Sequence, residues 1–354
     1  MHQVLFKKAS YDYNILKPDI YDMMDAIGGD QIQNGAKVLI KPNFLTPAKP
    51  EKAILTHPLI LKAVAEYVLD KGARVRISDS PASGSFERLL RIGGYKEALQ
   101  GMDIQFRPFQ ASVKVDIGKP FGMIDMAADA LNTDLVINLP KLKTHSMMLL
   151  TLGVKNLFGC IVGLKKPEWH LRSGVDREMF AKLLLGIHNA VSPSLTLVDG
   201  ILALEGDGPG RGGIPRHLGV LIGGCHAPTV DMAICQMLGV APDTLLTHKV
   251  AKEMGMISEL PEIIGDFCKV AGFQLPEAKA IVTPGPKSFQ KFVRRHVTQR
   301  PVVNEQLCSV CGECWDYCPA QAITQEGKQI TFDYDRCIRC YCCAEVCPHG
   351  ALRV

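Results

Sequence analysis

Eight of the thirteen cysteines fall into two matched runs, CSVCGECWDYCP and CIRCYCCAEVCP. Each reads C-x2-C-x2-C-x3-C-P: Cys308, Cys311, Cys314 and Cys318 precede Pro319, and Cys337, Cys340, Cys343 and Cys347 precede Pro348. Three thiolates at this spacing wrap one iron–sulfur cubane, while the fourth cysteine of each run reaches the other cluster. Cys308, Cys311, Cys314 and Cys347 are therefore expected to hold one 4Fe–4S cluster, and Cys337, Cys340, Cys343 and Cys318 a second. Zinc sites would leave the third cysteine and the proline without a reason. Disulfides need an oxidising compartment to which nothing in the sequence points. The chemistry of such a pair is single-electron transfer. Cys342, wedged between two ligands, is expected to be a bystander, and the isolated Cys160, Cys225, Cys235 and Cys268 read as buried small hydrophobes.

A second concentration of reactive types lies in LPKLKTHSMMLLTLGVKNLFG, residues 139–159. Lys141 and Lys143 alternate with Leu142, a strand or loop rhythm rather than a helical one. Charge set among so many apolar residues suits a pocket with greasy walls and a few polar groups aimed at a ligand. Lys143, His145, Lys155 and His170 are the candidate catalytic residues. The lysines would hold an anionic group and stabilise negative charge that develops on reduction, and the histidines would supply protons near neutral pH. Lys41, Asn43, Asp79, Lys141, Asn156, Asp199, Glu205 and Asp231 are candidate ligand-binding residues. Their carboxylates would pair with the lysines or bind a metal through hard oxygens. A structural lysine–carboxylate network is the alternative for each.

The elements that must position these residues alternate. AKVLIKPN (36–43), ARVRISDS (73–80), TDLVINLP (133–140), SLTLVDG (194–200) and HLGVLIGG (217–224) read as buried strands. Helical patterns lie between them at residues 57–72, 176–191 and 228–239. This alternation predicts an α/β body, a mostly parallel sheet covered by helices. Ligands in such sheets bind beyond the carboxyl ends of the strands, where Lys41, Asn43, Asp79, Ser80, Lys141 to His145 and Asp199 fall. LEGDGPGRGG, residues 204–213, is a glycine-rich loop that serves either as flexible surface or as an anion cradle. Neither a dinucleotide fingerprint nor a phosphate-binding loop occurs there. The stretch between the two cysteine runs, AITQEGKQITFDYD, reads as a hairpin turning at Glu326–Gly327, giving a small α+β module.

Net charge is +4 over 354 residues, but residues 301–354 carry −3 and the rest +7. No concentrated basic stripe of the kind nucleic acid requires is present; KSFQKFVRRHVTQR, residues 287–300, reads as a helix or linker. The N-terminal residues lack a signal-peptide pattern, and the most apolar run, residues 147–154, is too short to span a bilayer. The expectation is a cytoplasmic protein without a transmembrane segment, divided into a body (1–286), a basic linker (287–301) and a cluster module (302–354).

The cysteine module resembles a bacterial-type two-cluster ferredoxin. IKPN at Ile40, the helix opened by His57–Pro58, SDSPASG at Ser78, NLPKLKTH, GVKNLFG, VDG at Val198, EGDGPGRGG and TVDMAICQMLG together resemble the DUF362 family. The resemblance covers roughly residues 35–260 and implies an α/β body joined to 4Fe–4S clusters with a redox role. It implies no substrate. The expected function is an iron–sulfur oxidoreductase that passes electrons through two 4Fe–4S clusters to an anionic small molecule in the body, served by a redox partner protein. A non-catalytic electron-transfer subunit, or a cofactor-binding or maturation protein, is the alternative. A further ligand or metal in the body is left open.

Overall fold

The computed structural model describes residues 2–163, 165–173, 176–276 and 298–354. The expected basic linker therefore falls, over residues 287–297, outside the described residues.

Ten strands form one mixed sheet: β1 (Gln3–Lys8), β2 (Lys37–Pro42), β3 (Arg74–Ile77), β4 (Ile104–Phe106), β7 (Leu135–Leu139), β8 (Lys141–His145), β9 (Leu149–Thr151), β10 (Leu195–Gly206), β11 (Gly213–Gly224) and β12 (Glu262–Gly265). The strands β5 (Ser112–Asp116) and β6 (Met123–Ala127) make a separate hairpin. The order β12-β1-β11-β10-β7-β2-β3-β4 puts β2 at the heart of a parallel run with β3 on one side and β7 on the other. From Val38 to Pro42 every residue of β2 is buried, as expected for a parallel strand covered on both faces. Helices Tyr13–Ala26 and Pro58–Asp70 pack on one face, and Arg177–Val191 on the other, each against its own apolar cluster. The helix starts follow from the caps: His57 Nδ1 accepts from the Leu59 amide and Asp176 from that of Met179.

One expectation changes. SLTLVDG does run parallel to β7 and β8, but HLGVLIGG leaves the parallel set. They are β10 and β11, two twelve-residue strands paired antiparallel from Thr196–Gly224 out to Gly206–Gly213. A short connection suffices for an antiparallel pair, whereas parallel neighbours need a crossover, and DGPGRG between them supplies only a turn. The sheet remains mostly parallel, with antiparallel pairing confined to β1–β11, β10–β11 and β8–β9.

Within LPKLKTH, the five residues KLKTH are strand β8, all buried and paired with β10 and β9. Strand geometry sends alternate side chains to opposite faces. Leu142 joins an apolar cluster with Val198, Ala203 and Ile234, which leaves Lys141, Lys143 and His145 on the other face.

The C-terminal module contains β13 (Val302–Val303) paired with β16 (Leu352–Arg353), the hairpin of β14 (Ile323–Glu326) and β15 (Gln329–Phe332), and short helices Glu313–Asp316 and Cys342–Val346. It packs on the body through Tyr341, which is 2% exposed and belongs to the body's apolar cluster with Phe158, Trp169 and Phe180. The glycine-rich loop seats it. A Cβ on Gly210 would stand 3.1 Å from the Glu345 carbonyl, and one on Gly208 2.4 Å from the Thr144 carbonyl. The loop thus lies between β8 and the module, and glycine is what permits that approach.

A cation-rich cavity closed by the cysteine module

The carboxyl ends of β2 and β3, strand β8 and residues 155–159 and 166–170 surround a cavity of about 70 Å³ whose wall is completed by Tyr317, Cys342 and Glu345 of the C-terminal module. That space suits roughly five waters or one small polyatomic ion.

Strand β2 delivers Lys41, whose ammonium meets Asp79 Oδ2 at 2.8 Å and donates to the Pro42 carbonyl and Asn156 Oδ1. Asp79 follows β3 and also accepts from the Phe44 and Ser80 amides. Asn43 donates to Asn156 at 2.8 Å, and Asn156 in turn donates to Asn138 at 2.8 Å. A Cβ on Gly159 would lie 2.2 Å from Asp79 Oδ1 and 2.5 Å from Lys41 Nζ, so only glycine lets the chain close over this ion pair.

The other lysines of the wall form no ion pair among the described residues. Lys143 Nζ donates to the Ile54 carbonyl at 2.8 Å and pairs with no carboxylate among the described residues. Burial drives its pKa down to about 7; Glu345 opposes this, and Lys155, Lys141 and Lys41 reinforce it. Lys166, on helix Lys165–Ser173, donates to the Ser80 carbonyl and is lowered to about 8, chiefly by burial. Lys155 rests over the rings of Phe158 and Phe180, at 4.9 and 5.6 Å, and burial lowers its pKa also.

Two histidines complete the wall. His145 Nδ1 accepts from the Met147 and Met148 amides at 3.1 and 3.3 Å, which places the ring proton on Nε2. Nε2 lies 3.1 Å from Glu345 Oε1 but off the line of a hydrogen bond, so among the described residues both buried atoms are without a hydrogen-bond partner. Burial works against ionising Glu345, yet His145 and Lys155 outweigh it and hold its pKa at about 2. His170 stacks on Phe180 at 4.4 Å, and burial, helped by Lys155, lowers it to about 3. Its Nδ1, Asn43 Oδ1 and Thr151 Oγ1 are likewise buried and unpartnered among the described residues. Native interiors rarely leave polar atoms so, unless water, an ion or a ligand completes them.

The cavity therefore brings together Lys143, His145, Lys155, His170, Lys41, Asn43, Asp79 and Asn156 of the sequence-derived candidates. It does not bring in four others. Lys141 meets Asp199 at 2.6 Å, with Asp199 also accepting from Tyr11 and the His57 amide, in a buried pair away from the cavity wall. Glu205 pairs with Arg216 at 2.8 Å. Asp231 accepts from the Gly153 and Val154 amides and so caps the helix Gly153–Asn156; burial pushes its carboxyl up to about 7. Sequence reasoning missed Thr151, Lys166, Tyr317 and Glu345, and it set Cys342 aside as a bystander although that thiol lines the cavity. LKKPEWH carried a usable signal for Lys166. Nothing local marked Glu345.

In the C-terminal module, Cys308, Cys311, Cys314 and Cys347 line a small cavity of their own, of about 20 Å³. Burial raises the thiols of Cys318 and Cys343, and Cys337 and Cys340 lie near enough to raise both further. Both groupings fit the soft thiolate sets that iron–sulfur clusters require. Of the isolated cysteines, Cys160 and Cys235 are buried as expected, whereas Cys225 and Cys268 are exposed. No helix among the described residues is long and apolar enough to cross a membrane.

Comparison with known proteins agrees with these two parts. Residues 38–236 match the family model described as a domain of unknown function, DUF362, and residues 307–351 match a 4Fe–4S dicluster domain. A thylakoid-associated protein of Synechocystis is 34% identical over 254 residues, 71% of this chain and 79% of that protein. The pyruvate synthase subunit PorD of Thermotoga maritima is 46% identical over 56 residues, which span 16% of this chain and 57% of that subunit. A solved lactate racemase apoprotein from Thermoanaerobacterium thermosaccharolyticum aligns over 55% of this chain and 50% of that one, with a TM-score of 0.38 and 14% identity. The C-terminal module is thus a dicluster ferredoxin domain carrying two 4Fe–4S clusters.

Proposed function

The chain belongs to the DUF362 family, and from that premise we propose that it is an iron–sulfur oxidoreductase whose body binds a small anionic acceptor beneath its ferredoxin domain. One observation carries the reading. Lys41, Lys143, Lys155 and Lys166 face a single cavity that holds only two carboxylates, Asp79 and Glu345, and Asp79 is already engaged by Lys41. Lysines without counter-ions are costly to bury, and an anion relieves that cost.

The residues divide the work. Lys143, Lys155 and Lys166 bind the acceptor's negative group and would stabilise charge that builds there. Burial keeps the His170 imidazole neutral, and His145 Nε2 carries a proton that points into the cavity, placed to be donated. Asn43 and Thr151 orient the ligand through their unpartnered oxygens. Phe158, Tyr317 and the docked module limit access of water. Cys308, Cys311, Cys314 and Cys347 would hold one cluster and Cys318, Cys337, Cys340 and Cys343 the other; when bound, such clusters supply electrons one at a time. The PorD likeness favours a second reading, an electron-transfer subunit of a larger redox assembly, because that relative is itself named as a subunit.

Calorimetry on the anaerobic holoprotein with sulfate as probe separates the two. The anion-acceptor reading expects one binding site, weakened at least tenfold in Lys143→Ala and in Lys155→Ala. Absence of sulfate binding in the wild type, or binding that ignores both substitutions, would sink it in favour of the subunit.

A further inference from the structure

The two ligand sets do not occupy equivalent places. Cys342 lies inside the second run, between Cys340 and Cys343, and Tyr317 directly precedes Cys318. Both Cys342 and Tyr317 line the cation-rich cavity, and Cys342 is 1% exposed. Tyr341, beside Cys342, is sunk in the body's apolar cluster beneath Arg177. The other set differs on each count. The cavity lined by Cys308, Cys311, Cys314 and Cys347 is walled only by residues 308–352 of the module, with no contribution from the body. Cys314 and Cys347 are buried, but Cys308 is half-buried, Cys311 is exposed and the neighbouring Leu307 is 46% exposed. No cysteine of the first set is exposed: Cys318 and Cys337 are half-buried and Cys340 and Cys343 buried.

We propose that the two clusters have fixed and different stations: the Cys318, Cys337, Cys340 and Cys343 set is the inner one, set against the cavity by Cys342 and Tyr317, and the Cys308, Cys311, Cys314 and Cys347 set is the outer one. Cys342 is then a positioning residue that forms the wall between the inner ligands and the cavity. This order rests on the cavity being the acceptor site only for its direction. The stations themselves follow from burial and lining.

The test uses the holoprotein and needs no acceptor. Reduction of each cluster is followed by electron paramagnetic resonance during an anaerobic redox titration. Lys155→Met removes a positive charge at the cavity, and Glu313→Gln removes a negative charge at the wall of the outer set. The expected result is that Lys155→Met moves one reduction step to lower potential and Glu313→Gln moves the other to higher potential. A neutral soluble gadolinium chelate added to the wild type should speed relaxation of the Glu313-sensitive signal and spare the other. Both substitutions acting on the same step would overturn the assignment. So would equal relaxation of both signals by the chelate, which requires no variant to fold. Failure of sulfate to bind would remove the acceptor reading and leave this result standing.

Discussion

Lys141 and Lys143 sit two residues apart on the same face of β8, and their surroundings give them different roles. Lys141 is matched by Asp199 at 2.6 Å, so Lys141→Ala strands a buried carboxylate and should cost about 3 kcal/mol of stability, visible as a lower urea midpoint. Lys143→Ala removes one hydrogen bond to a carbonyl, about 1 kcal/mol, and should keep the fold and both clusters. Their shared spacing explains why both read as ligand candidates in the sequence, where a partner 58 residues away at Asp199 leaves no local mark. A pH dependence follows from Lys143 and Lys166, lowered by burial to about 7 and about 8. The protonated ammonium binds the anion, so sulfate affinity should be full below about pH 7 and fall as pH rises through 7 to 8. The same depressed values mean that the folded chain binds fewer protons than the unfolded one above pH 7, so these two groups make stability rise with pH there. Calorimetry across that range checks the first statement; affinity that rose with pH would contradict it.

At the scale of elements, the short helix Gly153–Asn156 brings Lys155 and Asn156 to the cavity, and Asp231 from helix Ala227–Met237 holds its start. Asp231→Ala should destabilise the chain by about 1–2 kcal/mol and weaken sulfate binding through a loosened Lys155, whereas Asp231→Asn retains an acceptor oxygen and should lie between. Thermal melts paired with calorimetry decide this; unchanged sulfate affinity in Asp231→Ala would show that the cap does not position the lysine. Much at this scale was legible. Continuous apolar runs marked β2 and β7, and the polar residues at the end of β2, Lys41 and Asn43, do reach the cavity. The β10–β11 hairpin was not, because strand patterns register burial and not direction. The glycines of residues 204–213 were visible, but their reason, the approach of Glu345 and of Thr144, lies in segments distant along the chain.

Over the whole molecule, the charge division seen in the sequence, an acidic module and a basic body, has a local counterpart. Glu345 enters a cavity that the body lines with four lysines. The spacing of cysteines predicted the module, but not that it would roof the body's polar strand ends, since no periodicity encodes which faces of two domains meet. The central claim concerns this junction: a small anion sits between the lysines of the body and the ferredoxin domain. Native mass spectrometry of anaerobically purified protein tests it most directly. The account predicts the mass of the chain with two 4Fe–4S clusters plus one small anionic ligand, with that extra mass lost in Lys143→Ala and Lys155→Ala while both clusters stay. A mass of chain and clusters alone, the same in the wild type and in both variants and unchanged after incubation with sulfate, would contradict it.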